Sequence, residues 1–293
     1  MKLSPGFLLL IFLPLAAGAQ SRTDCNAINS RILKRAVHYC VQLPPDYDSK
    51  ASKQRRYPVL YFLHGLGQNE QTMFNTGGWS LIEDLRRQHK IIDFLIVAPD
   101  GGRSFYINSA DNSLRYSDFF LQEFLPYIDS RYRVRPGRKG RAISGVSMGG
   151  YGALRFAFAH PELFSAVSAQ SAALITQTPP ELNAAGQSNG PLSRVLGPAF
   201  GQPISLPHWK QNSVFVLAKI NQAGLRNLAI YFNCGQTDDF GFEDGAAALH
   251  QQLQAEAVRH EYHAYPGDHS LTYFLSHMAE VMEFHSRAFA EQK

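Results

Sequence analysis

Long apolar segments alternate with segments of helical spacing from residue 57 to the end of the chain, and this alternation limits the fold more than any other feature. Long apolar runs are typical of strands buried on both faces. Strands are predicted at residues 57–63, 91–98, 141–144, 164–171, 228–234 and 261–265, and helices at residues 79–88, 116–132, 149–159, 243–257 and 271–290. The alternation predicts an α/β fold with a mainly parallel central sheet and helices on both faces. An antiparallel hairpin that turns near Leu33 and Lys34 is expected at the N-terminus.

The alternation stops once, at about residues 174–224, in a segment that is rich in proline and glycine. This segment is too long for an ordinary connection between a strand and a helix. Loops that follow the C-terminal ends of strands surround the ligand in open α/β sheets. We therefore predict a cap-like insertion beside the active site, with a plain surface insertion as the alternative. The insertion belongs to a single predicted domain that covers residues 20–293.

The composition and the charge exclude several classes of protein. Apolar residues make up 45% and charged residues 18% of the chain, which excludes a disordered or collagen-like chain. The 28 basic and 24 acidic residues give a formal net charge of only +4, and no Lys/Arg-rich run would follow a phosphate backbone. No nucleic-acid partner is therefore expected. Three cysteines are too few for a disulfide scaffold or a four-cysteine zinc site.

Residues 1–19 have the pattern of a signal peptide. Lys2 precedes an apolar run at residues 7–13, and residues 17–19 (Ala-Gly-Ala) supply the small side chains that a signal peptidase accepts. The apolar run is too short to span a bilayer, so no stable membrane anchor is expected. We predict that the protein is secreted or periplasmic and that the mature chain begins near Gln20.

Export would place the chain in an oxidising compartment, where cysteines can form disulfides. Cys25 and Cys40 flank the predicted hairpin and can pair, but their register about a turn near Leu33 and Lys34 is imperfect. The sequence therefore leaves this disulfide open. Cys234 lies in an apolar segment and is predicted to be a small core residue rather than a reactive thiol.

The sharpest chemical signal is GVSMGG at residues 145–150, which contains the G-x-S-x-G pattern of a nucleophile elbow. Ser147 follows a predicted buried strand and opens a predicted helix, which is the placement that such an elbow needs. The glycines leave room for a tight turn, and the helix N-terminus favours negative charge that develops beside the serine. Ser147 is therefore the candidate nucleophile, and an idle serine in a structural turn is the alternative.

A serine nucleophile needs a base that accepts its proton. Among the 11 histidines, His269 is the candidate because it lies between the last predicted strand and the last predicted helix. The carboxylate that orients the base is expected after the preceding strand, where Asp238 and Asp239 are adjacent. The pattern alone does not choose between these two aspartates. The order serine, aspartate, histidine is the one expected of an α/β-hydrolase.

Acyl transfer through a tetrahedral intermediate also needs two backbone N–H groups that hold the oxyanion. One is expected at Met148, directly after the nucleophile, and the other at Leu66, in the glycine-containing loop after the first long strand. His64 lies in the same loop and is predicted to brace it rather than to take part in the chemistry.

With these motifs in order, the chain resembles the esterase D-like, or putative esterase, family of α/β-hydrolases over roughly residues 30–290. That family also includes feruloyl esterases, S-formylglutathione hydrolases and mycolyltransferases. The matching segments are LPPDY at residues 43–47, LHGLG at 63–67, APDGG at 98–102, GVSMGGYGAL at 145–154, HPELF at 160–164 and GDH at 267–269. The resemblance implies Ser147 as the nucleophile, His269 as the base and Asp238, rather than Asp239, as the acid. It also implies that neither a metal nor an organic cofactor is used.

The sequence thus predicts an exported serine carboxylesterase that forms an acyl-enzyme intermediate through a Ser-His-Asp triad. A small-molecule or glycan-linked ester is the expected substrate. The alternatives are an acyltransferase of the mycolyltransferase type, a feruloyl or acetylxylan esterase that acts on plant polysaccharide, a serine peptidase, and a non-catalytic binding protein on the same fold. Aromatic side chains near the predicted sheet edge are candidates for an acyl or aryl pocket. Trp79 and Phe240 are the residues predicted to bind substrate.

Overall fold

A computed structural model describes residues 21–184 and 191–291 of the chain. The predicted signal peptide, residues 1–19, lies outside the described residues. The centre of the fold is an eight-stranded sheet with the order β1-β2-β4-β3-β5-β6-β7-β8. The strands are β1 (Arg22–Ser30), β2 (Arg35–Leu43), β3 (Val59–Leu63), β4 (Leu95–Pro99), β5 (Arg141–Val146), β6 (Ala166–Gln170), β7 (Ala229–Gly235) and β8 (Glu261–Tyr265).

Strands β3 to β8 run parallel to one another, whereas β1 and β2 form an antiparallel hairpin that joins the sheet by pairing β2 with β4. This topology confirms the predicted class, an α/β-hydrolase fold with a mainly parallel central sheet and an N-terminal antiparallel hairpin. The six strands predicted from apolar runs are all present, with ends that shift by a few residues.

Helices lie on both faces of the sheet. They are α1 (Thr72–Asn75), α2 (Gly78–Arg87), α3 (Tyr116–Phe119), α4 (Leu125–Arg131), α5 (Met148–Ala159), α6 (Pro179–Asn183), α7 (Pro191–Phe200), α8 (Leu206–Asn212), α9 (Val214–Ile220), α10 (Gln222–Leu225), α11 (Phe242–Ala255), α12 (Leu271–Ser276) and α13 (Met278–Glu291). A π-helical turn at Phe120–Phe124 joins α3 to α4, and a 3-10 turn at Arg138–Gly140 precedes β5. The single helix predicted at residues 271–290 is divided at His277 into α12 and α13. No helix in the described ranges is both long enough and apolar enough to cross a membrane.

The two faces of the sheet pack against two separate apolar cores, and β3 illustrates the division. Tyr61 belongs to the core that includes α3, α4 and α5, whereas Leu60 and Phe62 belong to the core that includes α2 and α13. Successive strand residues point to opposite faces, so a strand covered on both sides must be apolar at every position. This is why β3 is a continuous apolar run in the sequence.

Cys25 and Cys40 lie directly opposite each other in the hairpin and form a disulfide. The strands are joined by a turn at residues 31–34, which is centred one residue earlier than a turn between Leu33 and Lys34. The shift brings the two cysteines into register. The expectation of an imperfect register was therefore wrong.

Residues 174–224 contain the short helices α6 to α10, apart from residues 185–190, which lie outside the described residues. The insertion is anchored to α5. The Tyr151 hydroxyl donates to the Asn212 carbonyl at 2.8 Å, and Arg155 Nε donates to Asn212 Oδ1 at 3.1 Å. The insertion is thus tied to the helix that begins directly after the candidate nucleophile.

Candidate active site

Ser147 occupies a sharp turn between β5 and α5. Its backbone torsions are φ 54° and ψ −119°, a sparsely populated conformation that costs about 1–3 kcal/mol for a residue with a side chain. A Cβ atom on Gly145 would lie 2.2 Å from the Gly149 carbonyl oxygen, and a Cβ atom on Gly149 would lie 2.0 Å from that of Leu63. The Ser147 N–H donates to the Gln170 carbonyl at 2.9 Å and fixes the turn against β6. The two glycines are therefore needed for the serine to sit at the C-terminal edge of the sheet.

His269 lies between β8 and α12, and its Nε2 atom is 2.9 Å from Ser147 Oγ. The chain is held on both sides of this histidine. Thr237 donates to the Gly267 carbonyl through its backbone N–H at 3.0 Å and through its hydroxyl at 2.9 Å. On the other side, the Ser270 hydroxyl accepts the Tyr273 N–H and caps α12. These contacts fix the backbone that positions the candidate base.

The two adjacent aspartates contact different parts of His269. Asp238 Oδ2 lies 2.7 Å from the imidazole Nδ1 atom, whereas Asp239 Oδ2 accepts the backbone N–H of His269 at 3.1 Å. Asp238 is also buried, while Asp239 is exposed. The geometry therefore favours Asp238 as the carboxylate that orients the imidazole. With the Nδ1–H donated to Asp238, the Nε2 lone pair is left for the Ser147 hydroxyl.

The carboxylate of Asp238 is kept ionised by its surroundings. Burial by itself would raise the pKa of Asp238, but the hydrogen bond and the charge of His269, with the Phe240 N–H, hold that pKa below its ordinary value. Cys234 Sγ lies 3.6 Å from Asp238 Oδ2. Because burial raises the pKa of the Cys234 thiol to about 12, this thiol is protonated at neutral pH and can donate to the carboxylate.

Three phenylalanine rings surround the imidazole of His269. Phe240, Phe274 and Phe242 approach it edge-on, with ring centroids at 4.8, 5.2 and 5.4 Å. They leave only 8% of the His269 side chain exposed. Hydrogen bonds are electrostatically stronger where water is excluded, so the rings strengthen the contacts that His269 makes with Asp238 and Ser147.

The loop after β3 passes beside the candidate nucleophile. A Cβ atom on Gly65 would lie 3.4 Å from Ser147 Cβ, and Gln68 Oε1 accepts the Gly65 N–H at 2.9 Å. Leu66 and Met148, the two residues predicted to hold the oxyanion, line the same cavity as Ser147. The structure thus brings both predicted oxyanion residues to the serine.

His64 lies buried under that loop and connects it to the loop after β4. Its Nε2 atom accepts the Gly101 N–H at 2.8 Å, and its Nδ1 atom is 2.8 Å from the Gly65 carbonyl oxygen. Because Nε2 accepts, the proton is on Nδ1, which donates to Gly65. The Tyr106 hydroxyl donates to the His64 carbonyl at 3.0 Å. All these contacts brace the loop, as the sequence predicted for His64.

A cavity of about 730 Å³ opens beside Ser147 and His269 at the C-terminal ends of the strands. One wall comes from the segment after β6 and from the insertion, through Leu174, Ile175, Leu192, Val195 and Leu196. None of these residues was predicted from the sequence to line the site. Positions 192, 195, 196, 199 and 200 do have the spacing of an apolar helix face, which could have identified α7 as a wall element. The described residues contain no group of three or more His, Cys, Asp or Glu side chains that could hold a metal ion.

The structure separates the two residues that were predicted to bind substrate. Phe240 lines the cavity and is 67% exposed. Trp79 is 5% exposed and packs in the core formed with α13, and it is not among the described residues that line the cavity. The apolar face of α2 points under the sheet, so Trp79 contributes to the core and not to the wall of the site.

Comparison with known proteins places the chain in a family, since the family described as Putative esterase matches residues 30–285. The chain belongs to the Putative esterase family. The chain is 30% identical over 246 residues to Esterase Rv1288 of Mycobacterium tuberculosis, and the aligned region covers 78% of this chain and 51% of that protein. The chain thus spans about half the length of that relative.

Two further similarities cover both proteins almost completely. An acetyl esterase of Caldicellulosiruptor saccharolyticus is 27% identical to this chain over 266 residues, which cover 88% of this chain and 96% of that protein. Among solved structures, a ferulic acid esterase superposes on this chain with a TM-score of 0.78 at 27% identity. The superposition covers 92% of this chain and 99% of the chain of the ferulic acid esterase.

Proposed function

We propose that the protein is a serine carboxylesterase that uses Ser147, His269 and Asp238. The observation that carries the proposal is the line of contacts from Asp238 to His269 to Ser147, at 2.7 and 2.9 Å, on the wall of a cavity that can hold an ester. Membership of the Putative esterase family and the esterases among the relatives support the same reaction.

In the first half of the reaction, Ser147 Oγ attacks the ester carbonyl while His269 Nε2 accepts the hydroxyl proton. The ionised Asp238 stabilises the imidazolium that forms and keeps the Nδ1 proton in place. The negative charge on the carbonyl oxygen is stabilised by the backbone N–H groups of Met148 and Leu66. The N-terminus of α5, a helix of 12 residues that begins at Met148, favours the same charge.

In the second half, His269 gives its proton to the leaving alcohol, and an acyl ester remains on Ser147. His269 then removes a proton from a water molecule, which attacks the acyl carbonyl, and the acid leaves as the serine takes the proton back. The rings of Phe240, Phe242 and Phe274 limit the access of water to the imidazole, so deacylation requires water to enter from the cavity.

The insertion at about residues 174–224 acts as a cap in this proposal. This role is supported by helix α7, which contributes Leu192, Val195 and Leu196 to the cavity wall. Phe240 also lines the cavity and is proposed to contact substrate. The cap and the sheet together form one domain that begins near residue 20.

We also propose that the protein is exported after removal of residues 1–19. The Cys25–Cys40 disulfide supports export, because disulfides persist in oxidising compartments and are rare in the cytosol. N-terminal sequencing of the protein from the periplasm or the culture medium tests this proposal. A chain that keeps its original N-terminus and remains in the cytosol would refute it.

The test of the esterase proposal is hydrolysis of p-nitrophenyl acetate by the wild type, by Ser147→Ala and by the control Ser130→Ala. Ser130 is an exposed serine on α4 whose hydroxyl donates to the Tyr127 carbonyl. Loss of a serine nucleophile lowers kcat by up to about 10⁶-fold, so Ser147→Ala should fall to the background rate while Ser130→Ala keeps the wild-type rate. A fluorophosphonate should modify Ser147 in the wild type and in Ser130→Ala only. Equal activity of the wild type and Ser147→Ala would refute the assignment of the nucleophile.

A further inference from the structure

The buried part of the cavity wall is apolar, whereas the polar side chains of the wall are exposed or half-buried. Three polar side chains of the wall, Thr176, Gln177 and Asp244, are exposed and lie at the mouth. Every described wall residue that is buried is apolar or glycine, namely Gly65, Phe105, Met148, Ala173, Leu174, Leu196 and Phe274. Apart from Ser147, His269 and the half-buried Gln68, whose Oε1 atom accepts the Gly65 N–H, the wall that lies away from solvent is therefore apolar.

The deep wall also leads towards further apolar space. A second, much smaller cavity of about 20 Å³ lies between the sheet and the insertion. Five residues line both cavities: Phe105, Ala173, Leu174, Ile175 and Leu196. The smaller cavity is closed on its far side by Tyr151, Phe200 and Trp209, among others. Most of the described residues that a flexible apolar group meets beyond Ser147 are therefore aliphatic or aromatic, although Ser213 also lines the smaller cavity.

We propose that the cavity binds a straight aliphatic acyl chain, so that the preferred substrates are esters of medium-chain fatty acids. This inference rests on the proposed esterase function and adds to it the class of acyl group. Burial of each additional methylene contributes about 0.8 kcal/mol, which corresponds to about a fourfold gain in kcat/KM per methylene while the chain still finds apolar wall.

The same wall disfavours a hydroxylated aromatic acyl group such as ferulate. A phenolic hydroxyl loses its hydrogen bonds to water when it is buried, and the loss must be offset by a polar partner. The buried wall residues that are described offer no side chain of that kind. We therefore expect this chain to prefer an aliphatic acyl group, although a ferulic acid esterase has a similar fold.

The first experiment measures kcat/KM for p-nitrophenyl acetate, butyrate, hexanoate and octanoate and for methyl ferulate with the wild type. We expect octanoate to exceed acetate by more than tenfold and methyl ferulate to be the poorest substrate. Inhibition by straight-chain alkylboronic acids provides a second measurement that needs no variant, and inhibition should become stronger from ethyl to octyl.

The second experiment compares Val195→Trp with the control Ile220→Trp. Val195 is a half-buried wall residue, whereas Ile220 belongs to the same insertion, is 67% exposed and is not among the wall residues described. The indole ring of Val195→Trp should occupy the chain-binding space and lower the ratio of kcat/KM for octanoate to kcat/KM for acetate by at least tenfold. Ile220→Trp should keep the wild-type profile. Rates are divided by the concentration of active sites, which is titrated with a fluorophosphonate, so that misfolded protein does not lower the measured rate.

The outcomes separate the two proposals. A chain-length profile that is flat or falls after acetate, or a higher kcat/KM for methyl ferulate than for octanoate, would overturn the aliphatic assignment and leave the esterase proposal intact. Equal loss on acetate and octanoate per titrated site in Val195→Trp would also overturn it. No turnover of any ester together with no fluorophosphonate labelling of the folded wild type would overturn the esterase proposal itself.

Discussion

Asp238 and Asp239 are neighbours in the chain, yet one binds the side chain and the other the backbone of the same histidine. Asp238 Oδ2 is 2.7 Å from the Nδ1 atom of His269, and Asp239 Oδ2 is 3.1 Å from its backbone nitrogen. The pair offers a controlled comparison, because the same isosteric change at two adjacent positions affects two different contacts.

Asp238→Asn should lower kcat/KM for p-nitrophenyl acetate by about 10⁴-fold, because an amide in place of the carboxylate favours the wrong imidazole tautomer and cannot stabilise the imidazolium. Asp239→Asn should lower it by less than about tenfold, because the amide oxygen of asparagine still accepts the His269 N–H. Steady-state kinetics of the two variants under the same conditions are the measurement. A larger loss for Asp239→Asn than for Asp238→Asn would reverse the assignment of the acid.

His64→Asn should lower kcat with little change in KM. Asparagine can still donate to the Gly65 carbonyl but does not reach the Gly101 N–H, which His64 Nε2 accepts at 2.8 Å. The loop that carries the Leu66 N–H then shifts, and loss of one oxyanion donor costs about 10²–10³-fold in kcat, so a partial displacement should cost about tenfold to a hundredfold. A change confined to KM would show that the loop binds the ground state and does not hold the oxyanion.

His285 should make the protein sensitive to mild acid. It is fully buried, and its Nε2–H donates to Ser168 Oγ at 2.7 Å, since the Ser168 hydroxyl donates to Ser144. Burial lowers the pKa of His285 from 6.5 to about 3. Below pH 6.5 the unfolded chain therefore binds a proton at His285 that the folded chain does not, and stability falls as the pH falls from 6.5 towards 3.

At pH 5 this single group should reduce the free energy of unfolding by about 2 kcal/mol relative to pH 7.5. His285→Gln keeps a donor for Ser168 but does not titrate, so the difference in stability between pH 7.5 and pH 5 should be smaller in that variant by about the same 2 kcal/mol. Urea unfolding at the two pH values measures it, with His38→Gln, an exposed histidine of β2, as the control. An unchanged pH dependence in His285→Gln would exclude His285 as the source.

Removal of the Cys25–Cys40 disulfide should lower stability without lowering activity. The bond joins residues 15 apart in sequence, and closure of a loop of about that length contributes about 3 kcal/mol in the chain-entropy account. The double variant Cys25→Ala/Cys40→Ala should lose about this amount, measured by urea unfolding. Its kcat/KM should equal that of the wild type, because the hairpin is separated from β5 by β4 and β3. An identical unfolding curve for the wild type with and without reductant would contradict the prediction.

Local patterns in the sequence were sufficient for the elements of the sheet and for helices α2 to α5 and α11 to α13, but not for α1 or for the short helices α6 to α10. A strand such as β3 is covered on both faces, so burial alone makes it apolar throughout, and the pattern can be read without knowledge of its neighbours. The join between β2 and β4 depends on a contact between segments that are far apart in the chain. The register of Cys25 and Cys40 depends on a shift of one residue in the turn between β1 and β2. The pattern of polar and apolar residues does not determine that shift.

The residues of the candidate site were predictable where a sequence motif fixes the backbone conformation. They were not predictable where their positions depend on loop conformation or on packing. The elbow at Ser147 needs glycines for steric reasons, so its position is visible in the sequence. The choice between Asp238 and Asp239 depends on loop torsions that leave no trace in composition. For Trp79, the spacing of apolar residues in α2 indicates an apolar helix face. It does not indicate that this face packs in the core and not in the wall of the site.

Strand β1 has a consequence for how copies of the chain behave towards each other. Its residues are mostly polar and at least partly exposed, whereas β2 behind it is buried along most of its length. Without β1, the free hydrogen-bonding edge of β2 would be a template on which a strand of another molecule could add. The disulfide between Cys25 and Cys40 holds β1 covalently against that edge of β2. The hairpin thus replaces a mostly buried edge strand by a polar one, which disfavours addition of a strand from another molecule, and reduction of one covalent bond would weaken this arrangement.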